Sequence, residues 1–461
     1  MSIEKTKQYD LTQGDILQKL FVIALPVIGM QLMQMIYNMA DMFWMGKMGT
    51  DALAATSTSG MYLWLSMGFM VLGRMGAEIG VSQSMGSGDR DSAERYMTNS
   101  FLISAVIGIL IGAGMTFGRT PLVQFFAIKE PAVIELAEIY LGISGIGLPM
   151  MFVSTVIAGA FTGAGNSQLV FYITTIGIVF NLILDPIMIF GMNMGITGAA
   201  VSNVLGQLLG LALSLWALYR HPTSLFKKAA LIAQPHMDTM KRIFKWGLPI
   251  ATEALLFPFL SILTTRMVAA WGSKAIAAQR IGSQAESLTW LVAGGFCMAV
   301  TSFIGQNYGA VKWDRIQKGL RISAGMLTIY GIAVTAFLYF GGSPIYRVFT
   351  SDNEVISLGI RYLQIFAICQ LATCLESLFA GWFRGIGRTT PPSVISITGN
   401  IIRVVAAAVL SRTSLGLDGI YWAVSLGAIL RSAILIVWFF IQSRKLPKES
   451  TAPASLSAEE M

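Results

Sequence analysis

The chain has 461 residues, 54% of them hydrophobic and only 12% charged, with a mean hydropathy of +0.66. Soluble proteins carry about 25% charged residues, so a water-facing globule of this size has no core large enough for so much apolar surface, and lipid must solvate much of it. The formal net charge of +8 does not by itself call for a nucleic acid, because the basic residues are distributed as in a membrane protein.

Taken in chain order, Met1–Lys19 is polar and of mixed charge and lacks the layout of a cleavable signal peptide, so the first apolar run is expected to be a true span. A membrane helix needs about 20 mostly apolar residues. Runs of that kind centre near Gln31, Gly68, Gly108, Gly147, Val179 and Leu208, then near Leu256, Phe296, Tyr330, Cys369, Thr398 and Ile429. The fold class expected is an all-α integral membrane protein with twelve transmembrane helices. Tyr219–Lys245 is the longest polar interruption and divides the chain nearly in half. The expected organisation is a cytoplasmic segment over 1–19, an N-lobe over 20–219, a cytoplasmic linker over 220–243, a C-lobe over 244–443 and a cytoplasmic tail over 444–461. Cys297, Cys369 and Cys374 lie in apolar runs and read as buried thiols rather than a disulfide or a metal knuckle. His221 and His236 fall in the polar centre, away from the spans.

With twelve spans both termini share one side. If that side is the cytoplasm, its segments hold twenty Lys and Arg, including Lys19, Arg90, Arg220, Lys241, Lys312, Arg384 and Arg444. The opposite side holds eight: Lys47, Arg119, Lys129, Lys274, Arg280, Arg347, Arg361 and Arg412. This asymmetry follows the positive-inside rule and predicts both termini in the cytoplasm. Basic residues facing an anionic leaflet account for the net charge.

The halves repeat. Leu25-Pro26 matches Leu248-Pro249, and GTDALAA from Gly49 matches GSKAIAA from Gly272. Gln83, Gly86, Asp91 and Pro121 match Gln306, Gly309, Asp314 and Pro344, every pair at the same separation along the chain. Later pairs slip slightly: Phe161/Phe383 and Gly163/Gly385 are closer by one position, Gly198/Gly419 and Gly206/Gly427 by two. Six spans per half, an even number, give both halves the same orientation, a parallel repeat related by an axis along the membrane normal. Folds of this kind bind substrate between the halves and rock them. Channels are also duplicated, so the repeat favours a transporter without requiring one.

The segment Leu25–Ala55, with Phe161–Gln168 (FTGAGNSQ), Asn181–Asn203 and Phe383–Pro392 (FRGIGRTTPP), resembles multidrug and toxic compound extrusion (MATE) transporters. The resemblance covers roughly residues 15 to 443. It implies a V-shaped pair of six-helix lobes and antiport of organic compounds, often cationic, against H+ or Na+. An acidic pair in the N-lobe marks the DinF-type branch of that family, and Asp41 and Asp185 match it, with Tyr37, Asn181 and Asn203 around it. Asn203 departs from the pattern, where threonine is usual. A second branch carries cation-binding acids in the seventh and tenth spans. Here Glu253 comes too early and Glu376 is displaced by about one turn, with Pro258 and Thr373 nearer the expected places, so the resemblance assigns the chain to the DinF-type branch.

The residues themselves support candidate roles. An ionisable group in hydrocarbon costs about 2.5–3.5 kcal/mol on insertion scales and is a functional candidate by default. Gln34, Tyr37 and Asp41 share one helical face. Lys47 close behind allows a second reading, with Asp41 at the outer interface. Asn181 and Asp185 also share a face, and Pro186 removes a backbone donor, freeing a carbonyl one turn earlier. Such groups suit a proton relay or a sodium site at Asp41, Asp185 and Asn181, with Tyr37 and Asn203 in support. Gln34, Met33, Glu253 and Glu376 are candidates for a substrate cavity. Arg74 and Glu78, four apart, read as a structural pair. Arg266, Glu286, Arg403 and Arg431 read as groups near span ends that snorkel. Methionines crowd the first span but occur all around the helix, so most read as packing.

No Walker A run and no HExxH occur, and GAG at Gly163–Gly165 lacks the context of a phosphate loop. The expectation is a non-enzyme in a bacterial inner membrane, monomeric, with no ATP, nucleic acid or organic cofactor, only the coupling ion H+ or Na+. The competing reading is a lipid-linked precursor flippase of the related superfamily, which would carry more cationic groups in its cavity. A membrane-embedded lipid transferase would need a polar, metal-binding cluster at one interface, and the sequence shows none.

Overall fold

The computed structural model describes residues 10–220 and 235–444. Residues 1–9 of the expected N-terminal segment, 221–234 of the linker and 445–461 of the tail lie outside the described residues, and with them His221. The elements are α1 Ile16–Met48, α2 Thr50–Ser87, α3 Arg90–Phe117, α4 Arg119–Gln124, α5 Pro131–Gly163, α6 Ser167–Pro186, a π-helical turn Ile187–Gly191, and α7 Gly195–Tyr219. The second half repeats the order: α8 Met237–Ala269, α9 Ser273–Gly309, α10 Trp313–Phe340, α11 Gly342–Phe349, α12 Asn353–Gly385, α13 Thr390–Leu410 and α14 Leu417–Ser443. Each of the twelve apolar runs falls in one long helix, and the helices after α8 start at an offset from their counterparts that is constant to within one position. Helices alone satisfy their backbone groups internally, which is what hydrocarbon demands.

Eleven of the long helices are long and apolar enough to cross a membrane by composition. The remaining one, α2, has the length at 38 residues, but Arg74, Glu78 and many Ser, Thr and Gly lower its hydropathy. It compensates internally. Glu78 is fully buried, with Arg74 Nε 3.9 Å from its carboxylate, the structural pair expected from the sequence.

The described residues fall into two compact units: the first takes those of Leu25–Ala251, the second those of Leu11–Ala24 and of 252–444. In the first, α2, α3 and α7 pack on α5; in the second, α9, α10 and α14 pack on α12. These central helices are more than half buried, whereas α3, α10 and α13 expose Leu110, Ile329 and Val405 outward, as lipid-facing helices do.

The units differ from the expected boundaries over two short stretches. Residues 20–24 sit with the second unit, where Phe21 meets the edge of Phe296 and Leu20 and Ile23 are buried. The Leu11 carbonyl accepts from Asn307 Nδ2 at 3.2 Å and Arg315 Nε at 3.1 Å. Residues 244–251 sit with the first unit, where Trp246 stacks on Tyr96 and Gly247 lies against the backbone of Leu72. Hydropathy marks where a helix is apolar, not which neighbours bury it.

Local signals fix the helix ends. Gly49 and Gly272, equivalent in the repeat, take φ of 118° and 96° between α1 and α2 and between α8 and α9, a region glycine enters without a Cβ clash. Asp89 caps α3, accepting from Ser92 N at 2.9 Å and Ser92 Oγ at 2.6 Å, and those donors hold its carboxyl below the usual range. Asp352 caps α12 from Glu354 N at 2.8 Å, with Lys274 Nζ 3.2 Å away, and is likewise held low, chiefly by the backbone donor. All three cysteines are free and buried.

Candidate functional site

The polar cluster of the first unit is assembled by four helices. α1 supplies Tyr37 and Asp41, α5 Tyr140, α6 Asn181 and Asp185, and α7 Ser202 and Asn203. Asp185 and Ser202 are fully buried, Asn181 and Tyr140 nearly so, and Tyr37, Asp41 and Asn203 are half-buried. Ser202 Oγ donates to Asp185 Oδ1. The Asn181 amide lies between Asp185 and Asn203. Turned so that donors meet acceptors, its Nδ2 donates to both Asp185 oxygens, at 2.9 and 3.0 Å. Asn203 meets the hydroxyls of Tyr37 and of Tyr140, the latter at 3.3 Å. Asp41 and Asp185 lie within reach of each other's charge, and Tyr37 and Tyr140 feel both. Asp41 Oδ1 is buried with no hydrogen-bond partner among the described residues.

Local sequence explains this placement. Pro186 supplies no backbone N–H, and the chain beyond it widens into the π turn, closed by Met192 N donating to Ile187 O at 2.8 Å. Gly198 lets α7 approach the Met188 backbone of that turn. Gly206 faces Asn181, where a Cβ would stand 2.8 Å from the Asn181 side-chain amide. The site therefore depends on a close α6–α7 approach that only glycine permits.

The five residues expected around the cation thus stand together. Gln34 shares their helix but is exposed and donates to Asn38 Oδ1 at 3.1 Å, and Met33 is half-buried. Glu253 and Glu376 lie in the second unit, in a different cluster. Sequence reasoning misses Ser202 and Tyr140. Ser202 carries a signal, as the polar neighbour of Asn203 in an apolar run; Tyr140 carries one in Tyr362, its counterpart in the repeat. Arg403 and Arg431 are buried in mid-helix, 7% and 6% exposed, rather than snorkelling at span ends, because neighbouring helices enclose them. Arg266 does lie in the last turn of α8, exposed.

The profile of the MatE family matches residues 26–187 and 249–409, one match in each half of the repeat. The chain belongs to the MatE family. As a MatE protein it is a multi-pass membrane transporter. It is similar to the probable multidrug resistance protein NorM of Thermotoga maritima, 25% identical over 431 residues and 92% of either chain. It is also similar to the multidrug export protein MepA of Staphylococcus aureus, 22% identical over 93% of this chain and 95% of that one. The fold matches a solved outward-facing conformation of a multidrug resistance MATE family transporter, with a TM-score of 0.89 at 20% identity, covering 96% of this chain and 99% of that chain.

Two carboxylates among amide and hydroxyl groups have a limited repertoire. Ionised, Asp185 accepts from Asn181 and Ser202; protonated, one oxygen becomes a donor and that arrangement must change. With both ionised, Asp41 and Asp185 present hard oxygens of the kind a sodium ion takes. The cluster fits a site that exchanges a small cation and rearranges its hydrogen bonds as it does so.

Proposed function

We propose that this MatE protein is a secondary antiporter that exports small organic compounds in exchange for protons, with sodium as the alternative coupling ion, through Asp41 and Asp185. The observation that carries the reading is the carboxylate pair itself, Asp41 from α1 brought within reach of the charge of Asp185, which α6 holds in a hydrogen-bonded cluster inside apolar helices. Relatives named for multidrug resistance and export support the substrate class. The residues around the pair support the DinF-type branch. The protein works as a monomer in a bacterial inner membrane, driven by the ion gradient, with no part for ATP, nucleic acid or an organic cofactor.

Its orientation places Asp238, exposed at the start of α8, in the cytoplasm. A cysteine at Asp238 should react with an impermeant maleimide in inside-out vesicles and not in intact cells; the reverse pattern would overturn the topology. The flippase alternative is disfavoured because Arg431, a buried arginine of the second unit, is paired with Glu376 rather than left to hold a diphosphate.

The deciding experiment is transport in proteoliposomes with pH and sodium gradients imposed separately. Exchange of a fluorescent organic cation should follow the pH gradient. Transport driven by sodium alone would reassign the ion, and indifference to both would remove the antiport reading.

A further inference from the structure

The second unit contains a charged cluster that the coupling site does not use. Glu376 on α12 interacts electrostatically with Glu253 on α8, Arg403 on α13 and Arg431 on α14. Arg431 is satisfied within the protein. Its Nε and Nη2 donate to Glu376 at 3.0 and 3.4 Å, and its Nη1 donates to Asn400 Oδ1 at 3.2 Å. Gly399 makes room for it, since a Cβ there would lie 2.3 Å from Arg431 Cγ.

Arg403 is not satisfied in this way. It is 7% exposed, yet it donates no hydrogen bond to any described residue, and its Nε is fully enclosed. Its guanidinium lies 5.7 Å from the ring centroid of Phe257. Glu253, one turn before Phe257 on the same face of α8, has a buried Oε2 with no partner among the described residues. A buried ion pair is stable only when its members are paired and hydrogen-bonded. Here a cation and an anion, both within reach of the charge on Glu376, are enclosed without a hydrogen bond of their own, the cation beside the ring of Phe257.

The repeat gives this arrangement a meaning. Gly177 corresponds to Gly399, and by the same offset Asn181 corresponds to Arg403 and Asp185 to Ala407. Asp41 corresponds to Thr264 in the register that pairs Pro26 with Pro249. The packing agrees: Gly206 faces Asn181, and its counterpart Gly427 faces Arg403. The positions of the two first-unit carboxylates are therefore Thr264 and Ala407 in the second unit, and that of Asn181 is a guanidinium. The glycine packing has been kept while these three positions have exchanged acids for a base.

We propose that Arg403 is an anion subsite of the second unit that takes the carboxylate of an amphoteric aromatic compound, with Phe257 against its ring and Glu253 meeting its amine. The guanidinium offers a planar fork that matches a carboxylate with two parallel hydrogen bonds. The aromatic face favours a flat ring system. Glu376 is neutralised by Arg431, so the groups left over, Arg403 and Glu253, sum to zero and suit a ligand that carries both signs.

This rests on the reading of the chain as an exporter of organic compounds, but it concerns binding and can fail alone. The test compares an aminoxanthene dye bearing a free carboxylate with its methyl ester, by fluorescence anisotropy on the detergent-purified full chain. In Arg403→Gln the free acid should bind at least roughly tenfold more weakly while the ester is unchanged, and Arg403→Lys should restore part of the loss. Asp41→Asn, in which antiport is expected to fail, should keep the preference for the acid, so the two readings separate. Should Arg403→Gln not fold, Glu253→Gln gives an independent reading: it should weaken the amphoteric dye and leave fluorescein, which has no such amine, unaffected. Equal effects on acid and ester, or none on either pair of dyes, would overturn the subsite. So would displacement of the dye by phosphatidylglycerol and not by benzoate, which would assign Arg403 to a lipid phosphate.

Discussion

At the scale of single residues, the first unit turns on which groups can change charge. Asp41 is the most exposed to test, because its Oδ1 is buried without a partner among the described residues while Asp185 is already held by Ser202 and Asn181. Asparagine at position 41 keeps the shape and removes the titratable oxygen. Efflux of a cationic dye from cells expressing Asp41→Asn should fall to background with membrane expression intact. Efflux at the wild-type rate would take Asp41 out of the coupling site. The sequence made this residue visible, since an acid amid apolar residues is costly and rare. It did not separate Gln34 from its neighbours. Gln34 has the same helical spacing, but a spacing gives a face and not its reach along the helix, and in the structure Gln34 bonds Asn38 instead.

At the scale of elements, what determines the site is how closely α6 and α7 approach. A Cβ on Gly206 would stand 2.8 Å from the Asn181 side-chain amide, whereas one on Gly427 would make ordinary contacts of 3.4 and 3.7 Å with Arg403. Gly206→Ala should therefore displace the Asn181 amide and shift the cation dependence of substrate binding, while Gly427→Ala leaves it as in wild type. Identical behaviour of the two variants, measured by substrate binding across a pH series, would mean the close approach does not matter. All twelve long helices were legible because lipid imposes one rule, a long apolar run, on each of them. The repeat was legible because it had kept its register. The division of α1 near Ala24 and of α8 near Ala251 between units was not, since both stretches are apolar whichever unit buries them. Nor were the depths of Arg403 and Arg431, which depend on glycines of neighbouring helices more than on their own surroundings in the chain.

For the whole molecule, antiport requires that the cation and the substrate oppose each other. If a bound proton weakens substrate binding by some factor, bound substrate must weaken proton binding by the same factor, because the two routes to the doubly loaded state close a cycle. The sign follows from the direction of transport: the proton arrives from outside and must leave the protein in its low-affinity state for the exported compound. Substrate affinity should thus fall as proton concentration rises. The change begins where Asp185, once protonated, no longer accepts from both Asn181 and Ser202, and Asn203 and Tyr37 beyond them must reorient. Because Tyr37 and Asp41 share α1, that rearrangement acts directly on the first span, which has a helix-weakening proline at Pro26. In Asp185→Asn the position is neutral at every pH. The variant should hold the proton-loaded affinity throughout, weak and nearly flat from acid to alkaline pH, where the wild type steepens by up to about tenfold per pH unit for one competing proton. Dye-binding curves on purified protein at several pH values, each repeated with sodium present and absent, make the comparison. A wild-type slope in folded Asp185→Asn would place the coupling group elsewhere, and Glu253 and Glu376 of the second unit would be the next residues to change.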